Sequence, residues 1–202
     1  MRPPSLRIEA PFVLKTFMSI FCLLYIVSVL AGAQNATELW PKGYAVIPTP
    51  RAVNLEDGEV QIDNRWVIVP TGIDAQEISV RSLRRDLTDW YRLNLNTGAQ
   101  GDYVIRLLIQ AGAVKTAADA EIDKQAYRLR ISDRSTEITG NDAPGLFYGV
   151  QTLLQLVRQH SSGALFVPKG TISDWSQLQL RFLHWDTKHH QDRIETLKRY
   201  LD

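Results

Sequence analysis

The stretch from Asn141 to Val157 places the tightest limit on what this chain can fold into. Asn141-Asp-Ala-Pro144 opens a helix with proline in its first turn, where the missing N–H leaves no hydrogen bond unmade. Leu146, Phe147, Val150, Leu153, Leu154 and Val157 then cover a wide apolar face, the kind a helix needs to lie across a sheet. Ser161-Ser-Gly163 is expected to end it.

The sheet has to come from the segments on either side. Ala126-Tyr-Arg-Leu-Arg-Ile131 alternates cleanly, with Tyr127, Leu129 and Ile131 inward and the arginines outward. Asp133-Arg turns into a return strand at Thr136–Thr139. Arg65–Pro70 and Asp102–Ile109 read as further strands, and Leu165–Val167 as a short one before Thr171-Ile-Ser-Asp174 leads out. Glu56-Asp-Gly58 between Val53–Leu55 and Val60–Ile62 predicts a hairpin. Tyr44–Pro50 is extended, because each proline pushes its predecessor out of the helical region.

A second helix follows the Arg65–Pro70 strand. Ile78, Leu83, Leu87 and Trp90/Tyr91 recur at helical spacing, with Asp74 as the expected N-cap. Arg81, Arg84 and Arg85 could suggest a phosphate patch, but Asp86 and Asp89 balance them, and a solvated face is the simpler reading. The expected fold class is α+β: a mixed, mostly antiparallel sheet of about six or seven strands with two helices on one face.

The N-terminus is set apart. Arg2, Arg7 and Lys15 precede an uncharged apolar run from Phe17 to Leu30, and Ala31-Gly32-Ala33 supplies small residues for cleavage before Gln34. Residues 1–33 are therefore expected to be a secretory signal peptide, its run short against the roughly 20 residues of a bilayer span. Cleavage removes Cys22, the only cysteine, so the mature chain has neither disulfide nor thiol chemistry. The expected location is secreted or periplasmic, with no membrane attachment after cleavage. A net charge of +1 offers nothing to nucleic acid. Asn35-Ala-Thr37 is a glycosylation triplet of a kind common by chance.

The last residues carry the chemistry. An apolar strand pattern at Leu178, Leu180 and Phe182 runs into a cluster holding three of the four histidines, and a helical pattern starts near Arg193. Strand, polar residues at its C-terminal end, then helix is the first unit of an α/β barrel or open parallel sheet, where sites gather. Alternation puts His184 and Asp186 on one face, and His189 and His190 could complete a metal site, but Trp185 and Lys188 crowd it. The boundary between the two regions falls around Lys169–Gln177.

Several of these segments resemble one family. Tyr44-Ala-Val-Ile-Pro-Thr-Pro50, Ala126–Ile131 and above all Gly145-Leu-Phe-Tyr-Gly-Val-Gln-Thr-Leu-Leu-Gln-Leu156 resemble the N-terminal accessory domain of glycoside hydrolase family 20, the secreted β-N-acetylhexosaminidases. Ile172-Ser-Asp-Trp175 is similar to the linker into their (β/α)8 barrel, and Arg181-Phe-Leu-His-Trp-Asp-Thr-Lys-His-His190 to its first strand. The resemblance spans roughly residues 44–202 and implies, after the signal peptide expected at 1–33, an accessory domain at 34–175 and the first strand and helix of a truncated barrel at 176–202. Three residues depart from the family pattern: Ser176 stands where proline is usual, Phe182 where glycine is usual, and His189 where arginine is usual.

By that resemblance, Arg181 holds hydroxyls of the terminal sugar, as a rigid fork of donors can. Asp186 and His190 match polar positions that fix the strand-end geometry or touch substrate. The family removes terminal N-acetylhexosamines from oligosaccharides and glycoconjugates with retention: the acetamide oxygen of the substrate attacks the anomeric carbon, an acid protonates the leaving group, and an aspartate orients the acetamide. No metal or other cofactor is implied. The paired Asp-Glu of that mechanism has no counterpart in this chain, so none of its residues is expected to be catalytic and the polypeptide alone is expected to be inactive. The alternatives are a non-catalytic secreted carbohydrate-binding or interaction module, and a barrel glycosidase of α-glucuronidase or O-GlcNAcase type with the same accessory domain.

Overall fold

The computed structural model describes residues 38–116, 118–178 and 193–201. In chain order, β1 (Ala52–Ile62) and β2 (Trp66–Thr71) precede helix α1 (Ile78–Tyr91), and β3 (Asn96–Thr97) and β4 (Tyr103–Ile109) follow it. A single helical turn, α2 (Ala120–Asp123), leads to β5 (Tyr127–Ser132) and β6 (Ser135–Gly140). Helix α3 (Ala143–Leu156), β7 (Arg158–Gln159), β8 (Leu165–Asp174) and helix α4 (Ile194–Leu201) complete the order.

The strands form one sheet in the order β1-β8-β5-β6-β4-β2-β3, with β7 paired to β8 beside it. α3 lies over the sheet and α1 packs against α3. Leu146, Val150, Leu153 and Leu154 of α3 share one core with Val80, Leu83 and Leu87 of α1 and with Trp66, Ile68, Ile105, Leu107, Leu129 and Ile138 of the sheet. The alternation expected for β5 is present: Tyr127, Leu129 and Ile131 are buried and Arg128 and Arg130 exposed. The buried indole of Trp66 donates Nε1–H to the Gln61 carbonyl at 3.0 Å, so its polar atom costs little.

The sheet is mixed with antiparallel pairs in the majority, as expected, and its two sides differ. β1/β8, β7/β8, β8/β5 and β5/β6 are antiparallel, whereas β6/β4, β4/β2 and β2/β3 are parallel. Parallel neighbours need a long crossover. Between β2 and its parallel neighbour β3 the crossover is α1, which packs against α3.

The hairpin expected at Glu56-Asp-Gly58 does not exist. Val53–Leu55 and Val60–Ile62 belong to one strand, β1, and both halves pair with β8: Val53 opposite Ile172, Leu55 opposite Gly170, Val60 opposite Val167, Ile62 opposite Leu165. A bulge between Leu55 and Glu59 carries the three residues that resemble a turn. The bulge switches the alternation of both strands at one point, so the apolar halves on either side of it face the same core. Gly170 makes this possible. Its φ is +138°, and a β-carbon there would lie 2.3 Å from the Asn54 carbonyl oxygen.

Three boundaries also move. β8 is one continuous strand over Leu165–Asp174, because β1 and β5 flank it. α3 stops at Leu156, where Val157 turns extended and Arg158 pairs with Phe166 of β8, so Ser161–Gly163 lies beyond the helix. The N-cap of α1 is Glu77, whose carboxylate accepts from Ser79 N at 2.6 Å, while Asp74 accepts from Gln76 N one turn earlier.

Candidate functional site

The residues singled out in the sequence for substrate contact, Arg181, Asp186 and His190, lie outside the described residues, as do His184 and His189 and the signal segment 1–33. The structure describes the ground leading to them: β8, the exit segment to Leu178, and the cleft into which that segment opens.

The cleft has a volume of about 470 Å³. One wall is the stretch Val46–Thr49, which bends at a cis Ile47–Pro48 bond, with Arg51; another is the outer flank of α3 at Tyr148, Gln151 and Gln155, and the third is the exit segment Asp174–Leu178. The expectation of an extended segment over Tyr44–Pro50 fails at this bend, and Gln155 Oε1 holds the wall by accepting from Ile47 N at 2.9 Å. At the cleft floor the Tyr127 hydroxyl of β5 hydrogen-bonds the Thr152 hydroxyl of α3. Burial pushes the Tyr127 phenol well above its ordinary pKa, and the Thr152 bond opposes this only in part. This phenol therefore serves as a neutral, structural hydroxyl.

The exit segment is gripped from both sides. Arg51 N donates to Asp174 Oδ1 at 3.1 Å, Arg51 Nε donates to the Trp175 carbonyl at 3.1 Å, and the guanidinium lies 4.9 Å over the Trp175 ring. From the opposite side Ser176 Oγ donates to Gln125 Oε1 at 2.6 Å. Sequence reasoning passed over Arg51 and Gln125. Neither belongs to a motif, and their partners lie 123 and 51 residues away. The only signal was the repeated proline that precedes Arg51.

A second cleft of about 780 Å³ runs between α1 and α3 and shares Gln151 with the first. Ile78 and Trp90 are exposed on its rim, beside Phe147. Arg81, Arg84 and Arg85 are exposed on α1, as the solvated-face reading requires. Asp86, expected on that face, is instead buried, where it accepts from Ser82 Oγ at 2.9 Å and Arg85 Nε at 2.7 Å. Among the described residues no group of three or more His, Cys, Asp or Glu side chains could hold a metal.

The fourth histidine, His160, lies far from the exit segment. Its ring stacks on Phe166 with centroids 4.2 Å apart, and Nε2 lies 3.3 Å from Glu59 Oε2 without an aligned hydrogen bond. Glu59 also accepts from the Tyr44 hydroxyl, over whose ring Arg158 lies. Burial, then the Glu59 carboxylate, raises the Tyr44 pKa. The group fastens the N-terminal segment to the bulged edge strand. Glu56 and Asp57 are exposed on that bulge, with Asp57 3.8 Å from Lys42 Nζ.

The family model for glycosyl hydrolase family 20, domain 2, matches residues 43–175, the whole of the sheet with α1 and α3. The chain is 27% identical over 194 residues to a β-hexosaminidase of Porphyromonas gingivalis, covering 90% of this chain and 24% of that protein. It is 27% identical over 163 residues to a β-N-acetylhexosaminidase of Cellulomonas fimi, covering 76% of this chain and 30% of that protein. Its fold matches that of a family 20 exo-β-N-acetylglucosaminidase of Vibrio harveyi with a TM-score of 0.61 at 19% identity, over 76% of this chain and 22% of that one. The chain thus spans about a quarter of the length of these relatives.

Proposed function

The chain belongs to glycoside hydrolase family 20, and from that premise we propose that it is the N-terminal portion of a secreted or periplasmic β-N-acetylhexosaminidase. The observation that carries the reading is the extent of the match. It takes in the sheet domain as one unit, and an alignment over 90% of the chain has to run past residue 175 into the segment that holds Arg181.

In this reading the sheet domain is a platform. Asp174–Leu178 leads from β8 into the first strand of a barrel, whose end presents Arg181 to the terminal N-acetylhexosamine. The guanidinium fork suits two neighbouring hydroxyls, since its donors are fixed in one plane. Asp186 and His190 set the geometry of that strand end. The acid that protonates the leaving oxygen, and the aspartate that turns the acetamide toward the anomeric carbon, come from barrel strands beyond Asp202. The reaction retains configuration because the acetamide oxygen of the substrate, and then water, attack in turn.

Three measurements test this. The reading frame after codon 202 should continue the barrel and encode an Asp-Glu pair; unrelated sequence there sinks the proposal. The extended polypeptide should release 4-nitrophenol from 4-nitrophenyl N-acetyl-β-glucosaminide, while the 202-residue chain should not. N-terminal sequencing of the exported product should begin at Gln34.

A further inference from the structure

We propose that the face of the sheet turned away from the helices binds a sulfated glycan chain, through Arg128 and Arg130 of β5 and Arg106 of β4. This surface lies in the sheet domain itself, and the proposal stands or falls independently of the function proposed above.

The pairing registers place these residues together. The buried side chains of β5, Tyr127, Leu129 and Ile131, join the core under α3, so Arg128 and Arg130 stand on the opposite face. Residues in register on neighbouring strands share a face, which gives two rows across the open side. In the first row Thr171 of β8, Arg130, Glu137 of β6 and Arg106 follow one another. In the second, Ser173 of β8, Arg128 and Thr139 of β6 do the same. The two rows thus hold three arginines and one carboxylate, in a chain whose net charge is only +1. From strand spacing and rise, the stems of the three arginines stand about 7 to 12 Å apart.

The chemistry of the face selects the partner. Arg106 Nη1 donates to Thr71 Oγ1 at 3.2 Å, and Arg128 Nη2 donates to the Ala113 carbonyl. Each bond uses one of the five donors of a guanidinium and steadies the group along the sheet. The remaining donors match the oxygens of a sulfate ester, whose charge persists across the physiological pH range. The half-buried hydroxyls of Thr171 and Ser173 lie beside the arginines and suit the hydroxyls of a sugar.

Shape points the same way. Neither of the two clefts described above includes these arginines, so the surface suits an extended chain better than a single small anion. Neither row contains an aromatic ring, which removes the stacking that single-stranded nucleic acids use. A second copy docked symmetrically on this face would set arginine against arginine. The exit segment Asp174–Leu178 shares its cleft with the flank of α3, so the chain leaves the domain on the helix side and the arginine face stays open.

The test titrates a heparin octasaccharide into the whole exported protein by calorimetry at low salt. It compares wild type with Arg130→Ala, Arg128→Ala/Arg130→Ala, Glu137→Gln and, as a control on α1, Arg84→Ala. Wild type should bind, Arg130→Ala should weaken binding about threefold to fivefold, and the double variant about tenfold or more. Glu137→Gln should tighten binding about twofold to threefold, because it removes the one carboxylate that opposes the ligand; loss of folding cannot produce that gain. Arg84→Ala should bind as wild type does. Added salt should weaken wild-type binding more than that of the double variant. Thermal melts show that each variant is folded at the assay temperature. No heparin binding by wild type, or equal binding by the double variant, overturns the proposal. So does a DNA duplex of matched charge, or a neutral chito-oligosaccharide, that binds as tightly as heparin and loses affinity in the same variants. Turnover of 4-nitrophenyl N-acetyl-β-glucosaminide tests the function proposed above and has no bearing on these outcomes.

Discussion

Gly145 on α3 lies so close to the carbonyl of Ala126 that a β-carbon at 145 would sit 2.2 Å from its oxygen. One turn later a β-carbon at Gly149 would meet Ile138 Cγ2 at 2.5 Å and Tyr127 Cδ2 at 3.1 Å. The two glycines form a notch that lets the helix backbone rest on β5 and β6. The motif that identifies the family is thus a packing device.

Alanine at either position tests the notch. In an open helix the change would gain about 1 kcal/mol from propensity, but overpacking costs about 1–3 kcal/mol. Gly145→Ala meets backbone, which cannot rotate away, and should lose about 2 kcal/mol net by urea unfolding. Gly149→Ala meets side chains and should lose less. A Gly145→Ala midpoint at or above wild type would show that the helix can lift off the sheet freely.

Tyr127 and Thr152 bond to each other out of water. Tyr127→Phe leaves the Thr152 hydroxyl buried without its partner and should cost about 1–2 kcal/mol, whereas Tyr127→Phe with Thr152→Val should cost less than the sum. A double-mutant cycle on unfolding free energies should return a coupling of about 1 kcal/mol.

The same burial predicts alkaline behaviour. The pKa values of Tyr127 and Tyr44 are raised in the folded protein, so the fold favours their neutral forms. Their contribution to stability is complete below the unfolded phenol value of about 10 and is lost as pH rises from there toward the folded values. In a titration followed at 295 nm both phenols should ionise only as the protein unfolds. Tyr127→Phe should flatten the fall in stability above about pH 10. An early, reversible titration of every tyrosine would contradict the buried setting.

Asn141 ties the loop after β4 to the core. Its Nδ2 donates to the Val114 carbonyl at 2.8 Å and to the carbonyl and carboxylate of Asp123 at 3.1 Å each, and its Oδ1 accepts from Val114 N at 2.9 Å. Asn141→Asp replaces a donor with an acceptor facing acceptors, so it should destabilise more than Asn141→Ala. Both should speed tryptic cleavage after Lys115, measurable by mass spectrometry. Equal cleavage rates in wild type and both variants would show that the loop is held elsewhere.

Local pattern was enough to find β5, β6, α1 and α3, because alternation and the helical stripe are written in neighbouring residues. It failed at Glu56-Asp-Gly58. Those residues make a good turn, and only the pairing of both flanks with β8 shows that the strand continues. The parallel side of the sheet was equally hidden, since nothing local to β2 or β4 records the direction of a neighbour. In the candidate site, the exit segment was recognised by its resemblance to a linker, while Arg51 and Gln125 were not, because single side chains carry no period.

The sequence by itself determined the family, the α+β class and the helix that covers the sheet. The class and the helix rest on spacing within about fifteen residues, the scale on which side-chain periodicity acts, and the family on the resemblance carried by Gly145–Leu156. The tertiary structure alone decided which strands are neighbours, where β1 bulges, and what grips the chain as it leaves β8. Each of these is a contact between residues far apart in sequence, Arg51 with Trp175 among them, and its energy exists only once the core has brought the partners together.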